Sequence, residues 1–275
     1  MKYILVLLLF LVRPVLDLAQ SWDGVGLPVS TLADSPDDAA LTTLTKSAYT
    51  VSYSNKTHCP VWVAWILTAD KANGSIKRMS NNAWHEELDL PAPRSTPADY
   101  YNLKSLGLSR GHICPAGDNK WDSVAMYESF SMANVCPQNG PLNGGDWNEI
   151  EMACRRWATA FDVVYIVSGP VFSSDSCATI GKSKIAVPDA FYKVIIRLGK
   201  SPASLAFVCP NNGENHAMDF YLTSIADVER MTGLAFFPDL PADLASSLKS
   251  SSSLKSWDKK SRRSKNQHPS KPDRR

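Results

Sequence analysis

The chain has 275 residues, 44% of them hydrophobic and 20% charged, with a formal charge of +2. That is the composition of a globular protein of one large or two small domains, and it excludes a chain that is disordered or membrane-embedded throughout. Ten Lys/Arg against two Asp/Glu give residues 249–275 a formal +8, and the first nineteen residues carry +1, so the body at 20–248 is left at −7. An acidic body excludes polyanion binding by net charge alone; positive charge has to be gathered in a cleft or in the tail.

Lys2 followed by an apolar run from Tyr3 to Val12 resembles a secretory signal peptide, with a cut near Ala19–Gln20. The run is too short to cross a bilayer as a helix, and no later stretch is apolar enough. Residues 20–45, rich in Ser, Asp, Thr and Leu without a clear period, read as an N-terminal arm. From Ala48 the pattern sharpens: YTVSYS alternates and VWVAWILTA is a dense apolar run, so both read as strands. Residues 71–100 hold Pro91, Pro93 and Pro97 and read as a long surface loop. SVAMYESFSMANV predicts a helix entering an Asn-containing turn. DWNEIEMACRRWATAF sets Trp147, Ile150, Cys154, Trp157 and Phe161 at helical spacing. VVYIVSGPV, FYKVIIRL and SLAFVCP read as strands, and Ser224 is placed to cap a helix running to Met231. After Leu248 the composition collapses into Ser, Lys and Arg, which predicts a disordered basic tail. The expected organisation is a signal segment at 1–19, an arm at 20–45, one mixed α+β domain at 46–245 and a tail at 246–275.

Six cysteines follow the leader, namely Cys59, Cys114, Cys136, Cys154, Cys177 and Cys209. An even count in an exported chain suggests disulfides, with fifteen connectivities if all pair. No C-x-x-C is present and His58–Cys59 is the one adjacent His/Cys pair, so the spacing disfavours structural zinc. Cys114 and Cys136 flank the most informative stretch of the chain, and a bridge between them is the first expectation. Asn55-Lys56-Thr57 and Asn73-Gly74-Ser75 match glycosylation sequons.

That informative stretch runs from Ser109 to Glu151. Arg110 and His112 are two apart, so on a strand they share a face. An arginine suits phosphate, and its charge disfavours imidazolium, keeping the histidine neutral and able to act as a base. The same residues also suit a surface histidine after a turn glycine. Asn143 and Glu151 are eight apart with a helix beginning between them, so an amide oxygen and a carboxylate can face one site. Both are hard donors, fit for magnesium rather than zinc. A polar loop before an amphipathic helix explains the same spacing.

Taken together, Arg110-Gly111-His112, Asn134 to Gln138, Leu142-Asn143 with Trp147, and Glu151 resemble the DNA/RNA non-specific endonuclease family, the ββα-metal (His-Me finger) nucleases. The likeness extends over residues 46–241, through VWVAWILTAD, VVYIVSGP, IAVPDAFYKVII and SIADVERMTGLAFFPDLP. It implies an α+β fold with a mixed central sheet flanked by helices. It also implies a magnesium-dependent phosphodiesterase, with manganese substituting, that leaves 5′-phosphates. His112 would be the general base, Asn143 the direct magnesium ligand and Glu151 the holder of metal-bound water. Asn134 and Gln138 would support the loop, and Arg110 would stabilise phosphate charge. A second arginine is expected upstream: Arg78, with Arg94 as runner-up. Asp118, Asn119 and Lys120 are candidates for the cleft, although a solvated loop suits them better. Ser109 departs from the aspartate that many members carry there, which puts the hydrogen bonding of metal-bound waters in question.

The implied partners are DNA and RNA, single- or double-stranded; a homodimer stays open and no inhibitor protein is indicated. A non-catalytic nucleic-acid-binding protein of the same fold is the alternative, and an enzyme for another phosphodiester is a third reading. The basic tail would raise local affinity for polyanions by counterion release, bind an acidic partner, or solubilise the chain. With His112 as base, activity is expected to fall as pH drops through 6–7.

Overall fold

A computed structural model describes residues 21–31, 41–173, 177–250 and 252–257. The proposed leader, residues 32–40 and the tail beyond 257 lie outside the described residues.

The strands are β1 (Val29–Ser30), β2 (Leu41–Thr45), β3 (Thr50–Ser54), β4 (Cys59–Thr68), β5 (Leu108–His112), β6 (Val135–Asn139), β7 (Val163–Val171), β8 (Thr179–Ile180), β9 (Ile185–Ala186), β10 (Ala190–Arg197), β11 (Ala203–Pro210), β12 (Leu222–Thr223) and β13 (Leu234–Ala235). The α-helices are α1 (Ala69–Ala72), α2 (Ser123–Ser129), α3 (Gly140–Gly144), α4 (Asp146–Phe161), α5 (Ile225–Thr232) and α6 (Ala242–Ser250). Seven strands form one sheet in the order β12-β11-β10-β7-β4-β3-β2. Every pairing in it is antiparallel, so the central sheet is not mixed as the resemblance implied.

The sheet is buried on both faces, which is why β4, β7 and β10 read as unbroken apolar runs rather than alternating ones. Period-two geometry sends Val63, Trp65, Leu67, Val164, Ile166, Phe191 and Ile195 to one core, and Trp62, Ala64, Ile66, Tyr165, Val167, Tyr192, Val194 and Ile196 to the other. The second core is covered by α5, α6 and Phe236–Phe237. The first is covered by a separate β5–β6 hairpin and by α4. Helix α4 docks through Trp147, Ile150, Ala153, Cys154, Trp157 and Ala158, all buried. Each large apolar side chain there contributes about 1.5–3 kcal/mol by leaving water.

Three expectations about boundaries change. Leu41–Thr45 is not part of a patternless arm but the edge strand β2, paired with β3. Its Leu-Thr-Thr-Leu-Thr sequence hides the strand because an edge strand needs only one half-buried face. The basic tail does not begin where the composition changes. Trp257 is buried, 5.0 Å from Trp157 and 5.8 Å from Phe161, and its indole N–H donates to Ser204 O. A single large apolar group outweighs the polar composition around it. The helix expected over residues 123–135 stops at Ser129, and a 3₁₀ turn at Met132–Asn134 leads into β6.

Candidate active site

The site is built on the β5–β6 hairpin and the helices that follow it. Register pairs Ser109 with Gln138, Arg110 with Pro137, Gly111 with Cys136 and His112 with Val135. Gly111 is required by this close approach: a Cβ there would lie 2.3 Å from Gln138 Oε1 and 2.6 Å from Gln138 Cβ. Gln138 is buried with neither amide atom hydrogen-bonded, so it fills the hairpin interior and leaves polar capacity unspent.

Arg110 and His112 do share a face, and Trp84 marks it. The Arg110 guanidinium lies 5.8 Å and the His112 ring 4.6 Å from the Trp84 ring. Phe130 closes the other side of the imidazole at 5.2 Å, edge to face. Arg78 stands over the same Phe130 at 5.0 Å. His112 makes no hydrogen bond in the protein: Nε2 is buried without a partner, leaving Nδ1 as the nitrogen available to water. Burial, with the Arg78 charge adding to it, pushes the imidazole pKa down to about 3. Burial and the Arg78 charge thus both favour the neutral imidazole, the form that can accept a proton. Arg110 is anchored by Nη2 donating to Pro97 O at 3.1 Å, and burial lowers its pKa from a value far above neutrality.

Asn134 is a strut. Its Oδ1 accepts from Cys114 N at 2.8 Å, while Nδ2 donates to Cys114 O at 2.8 Å and Ser129 O at 2.9 Å. Fully buried, it ties the end of the hairpin to α2, and both of its polar atoms are already hydrogen-bonded.

Asn143 and Glu151 do not lie on one helix. Asn143 is in α3, and Gly145 interrupts the path with φ −105° and ψ −111° before α4 begins. A Cβ at Gly145 would meet Pro141 O at 2.8 Å. Asn143 Nδ2 donates to Ser109 Oγ at 3.0 Å, and Ser109 Oγ donates to Gln138 O at 3.1 Å. The serine hydroxyl thus orients the amide and leaves Asn143 Oδ1 as its hard-oxygen donor. Glu151 is half-buried, and desolvation raises its carboxyl to about pKa 7 against the opposing pull of Lys193 and Arg155. Among the described residues no group of three or more His, Cys, Asp or Glu could hold a metal, which rules out a zinc-type ligand set there. A neutral amide oxygen beside a hydroxyl fits a hard cation that keeps its waters; Glu151 is not among the residues that line the groove around Asn143.

Arg78, Ser109, Arg110 and Asn143 line one open groove of about 640 Å³, together with Trp84 and Tyr101. The other candidates stand elsewhere. Arg94 is spent on Glu86, Nε to Oε1 at 2.6 Å, and on Leu90 O. Lys120 ends a 3₁₀ turn whose carbonyl accepts from Ile76, away from the groove lining. Asp118 and Asn119 are buried rather than solvated: Asp118 pairs with Arg155 at 2.7 Å and accepts from the Trp65 indole at 3.0 Å. The six cysteines are all free, so the expected Cys114–Cys136 bridge is absent. The hairpin turns the two apart: Cys114 Sγ accepts from Asn119 Nδ2 at 3.4 Å, and the thiol of Cys136 neighbours that of Cys59. Trp84 and Phe130, which wall the histidine, carry no signal in sequence spacing, since 28 and 18 residues separate them from His112. A second opening of about 670 Å³, lined by Ser54, Trp62, Cys177 and Met231 among others, lies away from these groups.

The sequence model for DNA/RNA non-specific endonucleases matches residues 33–243. Mitochondrial nuclease EXOG of Danio rerio is 36% identical over 216 residues, which cover 73% of this chain and 62% of the relative. The chain thus spans a little under two thirds of the EXOG relatives it matches. Mitochondrial endonuclease G of Bos taurus is 31% identical, covering 72% of this chain and 69% of the relative, and a nuclease of Nostoc sp. is 29% identical, covering 82% and 86%. The solved crystal structure of an EndoG/EndoGI complex superposes with a TM-score of 0.63 at 27% identity, covering 72% of this chain and 86% of the other. A hairpin bearing Arg110-Gly111-His112, followed by helices bearing Asn143 and Glu151, accords with these matches, and the chain belongs to the DNA/RNA non-specific endonuclease family.

Proposed function

We propose that the chain is a magnesium-dependent endonuclease that hydrolyses phosphodiester bonds of DNA and RNA to 5′-phosphate products. The observation that carries the reading is a neutral imidazole without a protein hydrogen bond, held between Trp84 and Phe130 beside the charges of Arg78 and Arg110. His112 takes the proton from the attacking water through Nδ1; its neutrality means that no deprotonation has to precede the step. Arg110, fixed by Pro97 O and the two aromatic faces of Trp84 and Tyr100, meets a nonbridging phosphate oxygen without reorganising. Arg78, exposed, with a hydrogen bond to Met79 O in its own loop and the Phe130 ring beneath it, follows the substrate in. Asn143, oriented by Ser109, would hold the magnesium ion directly, and Glu151 would face its hydration shell. When bound, the ion would polarise a phosphoryl oxygen and stabilise the leaving 3′-oxygen. Contacts of this kind read phosphate rather than base edges or the 2′-hydroxyl, which allows either nucleic acid as substrate. Because Ser109 performs an orienting task in the groove, the alternative of a non-catalytic binding protein gains nothing from the missing aspartate.

The deciding experiment incubates the protein with covalently closed plasmid and with RNA, in magnesium or EDTA, beside His112→Ala. The reading requires nicking and degradation of both substrates, lost in EDTA and in the variant. Binding without cleavage across several divalent metals would move the protein to the binding class.

We further propose export through a secretory route. The apolar run from Tyr3 to Val12 differs from the Arg-rich amphipathic pattern of mitochondrial presequences. N-terminal sequencing of protein recovered from medium, with a cut near Ala19–Gln20, supports this; recovery from mitochondria refutes it.

A further inference from the structure

The groove carries one aromatic ring that the hydrolytic machinery does not use. Tyr101 is 71% exposed and lines the groove that Arg78, Arg110 and Asn143 also line. Its neighbours in the chain are anchored, so the ring is held out into the groove. Tyr100 beside it is buried, its hydroxyl donating to Val135 O on β6 at 3.3 Å and its ring 5.9 Å from the Arg110 guanidinium. Tyr101 itself follows the 3₁₀ turn in an extended conformation, φ −70° and ψ 147°. Asn102 then turns the chain in the left-handed region, φ 64°, and Leu103 is buried as the next anchor. Lys104 follows, exposed, on the same groove wall. The exposed ring is thus fastened on both sides by buried neighbours and flanked by a cation, the arrangement used to stack a nucleobase and neutralise its phosphate.

We propose that Tyr101 and Lys104 form a subsite for an unpaired nucleobase beside the scissile phosphate, Tyr101 by stacking and Lys104 by phosphate contact. The subsite rests on the reading of this groove as the nuclease site. It favours single-stranded or locally opened nucleic acid, because a base inside a duplex already has its faces covered. Stacking needs the ring and not the hydroxyl, so phenylalanine should replace tyrosine and leucine should not.

The test uses the full chain in EDTA, where binding is read without cleavage, and an oligonucleotide carrying a single 2-aminopurine, whose fluorescence falls when the base stacks. Single-stranded probe is expected to be quenched by the wild-type protein and by Tyr101→Phe. Tyr101→Leu should lose the quench and bind about ten-fold more weakly, with duplex affinity changed less than about two-fold. Lys104→Ala should keep the quench and lower the salt dependence by about one counterion. Retained quench and affinity in Tyr101→Leu would overturn the proposal, as would equal losses on duplex and single strand. The ring is exposed, so unaltered thermal unfolding is expected to show that each variant is folded. Absence of cleavage by the wild-type protein in magnesium would defeat the nuclease reading instead, and the quench measurement would still report on stacking.

Discussion

Replacing Asn134 by alanine separates a structural from a chemical role for this residue. The side chain makes three buried hydrogen bonds, to Cys114 N, Cys114 O and Ser129 O, all at 2.8–2.9 Å. Truncation leaves one amide and two carbonyls with no partner in a region where Asn134, Ser129 and Cys114 are fully buried. Each orphaned group costs about 1–3 kcal/mol, and partial relaxation or an admitted water offsets some of that, so the expected loss is about 3–5 kcal/mol. For a domain of this size that lowers Tm by about 8–15 °C. Since Asn134 has no free polar atom for substrate or metal, kcat/KM measured well below the lowered Tm should stay within about ten-fold of wild type. Thermal unfolding by circular dichroism and plasmid nicking at 10–15 °C below the variant's midpoint read the two quantities. A variant with nearly unchanged Tm and activity down by about a hundred-fold or more would refute the argument, because it would give Asn134 a part in the chemistry.

Other outcomes follow from the same geometry. At limiting magnesium, activity should fall as pH drops through about 7, where the raised carboxyl of Glu151 takes up its proton; His112, depressed to about 3, stays neutral there. Added magnesium competes with that proton, so the limb should move to lower pH; a limb near 6.5 indifferent to magnesium would return the assignment to the imidazole. Ser109→Ala removes the acceptor of Asn143 Nδ2 and should raise the magnesium needed for half-maximal rate by about ten-fold, whereas an unchanged requirement would deny Ser109 an orienting role. Arg78→Ala should cost about a hundred-fold in kcat/KM, and Arg94→Ala, which breaks only the Glu86 and Leu90 contacts, less than about two-fold; steady-state rates with the two variants in the opposite order would exchange their roles.

The features legible without coordinates lie in contiguous stretches of chain. From Ser109 to Glu151 the elements β5, α2, β6, α3 and α4 follow one another in chain order, and it is the family resemblance carried by that stretch, not spacing alone, that singles out Arg110, His112, Asn143 and Glu151. Pattern suffices for β4, β7, β10, β11 and α4, which are long and strongly apolar, and for Ser224, which caps α5 through Asp227 N as its position predicted. Tertiary structure decided whatever depends on groups remote in sequence. Spacing cannot show that Trp84 and Phe130 dry the imidazole and take its pKa far below the ordinary value, because desolvation belongs to the assembled walls. Nor can it choose between Arg78 and Arg94, both basic residues in one polar loop, when the choice turns on Glu86 lying within reach of only the second. Asp118 reads as loop until Arg155 and Trp65 arrive to satisfy it in the interior, and Trp257 reads as tail until Trp157 and Phe161 offer it a place. Periodicity reports which face of an element is buried; which neighbour buries it, and therefore what charge state it keeps, is a property of the folded whole.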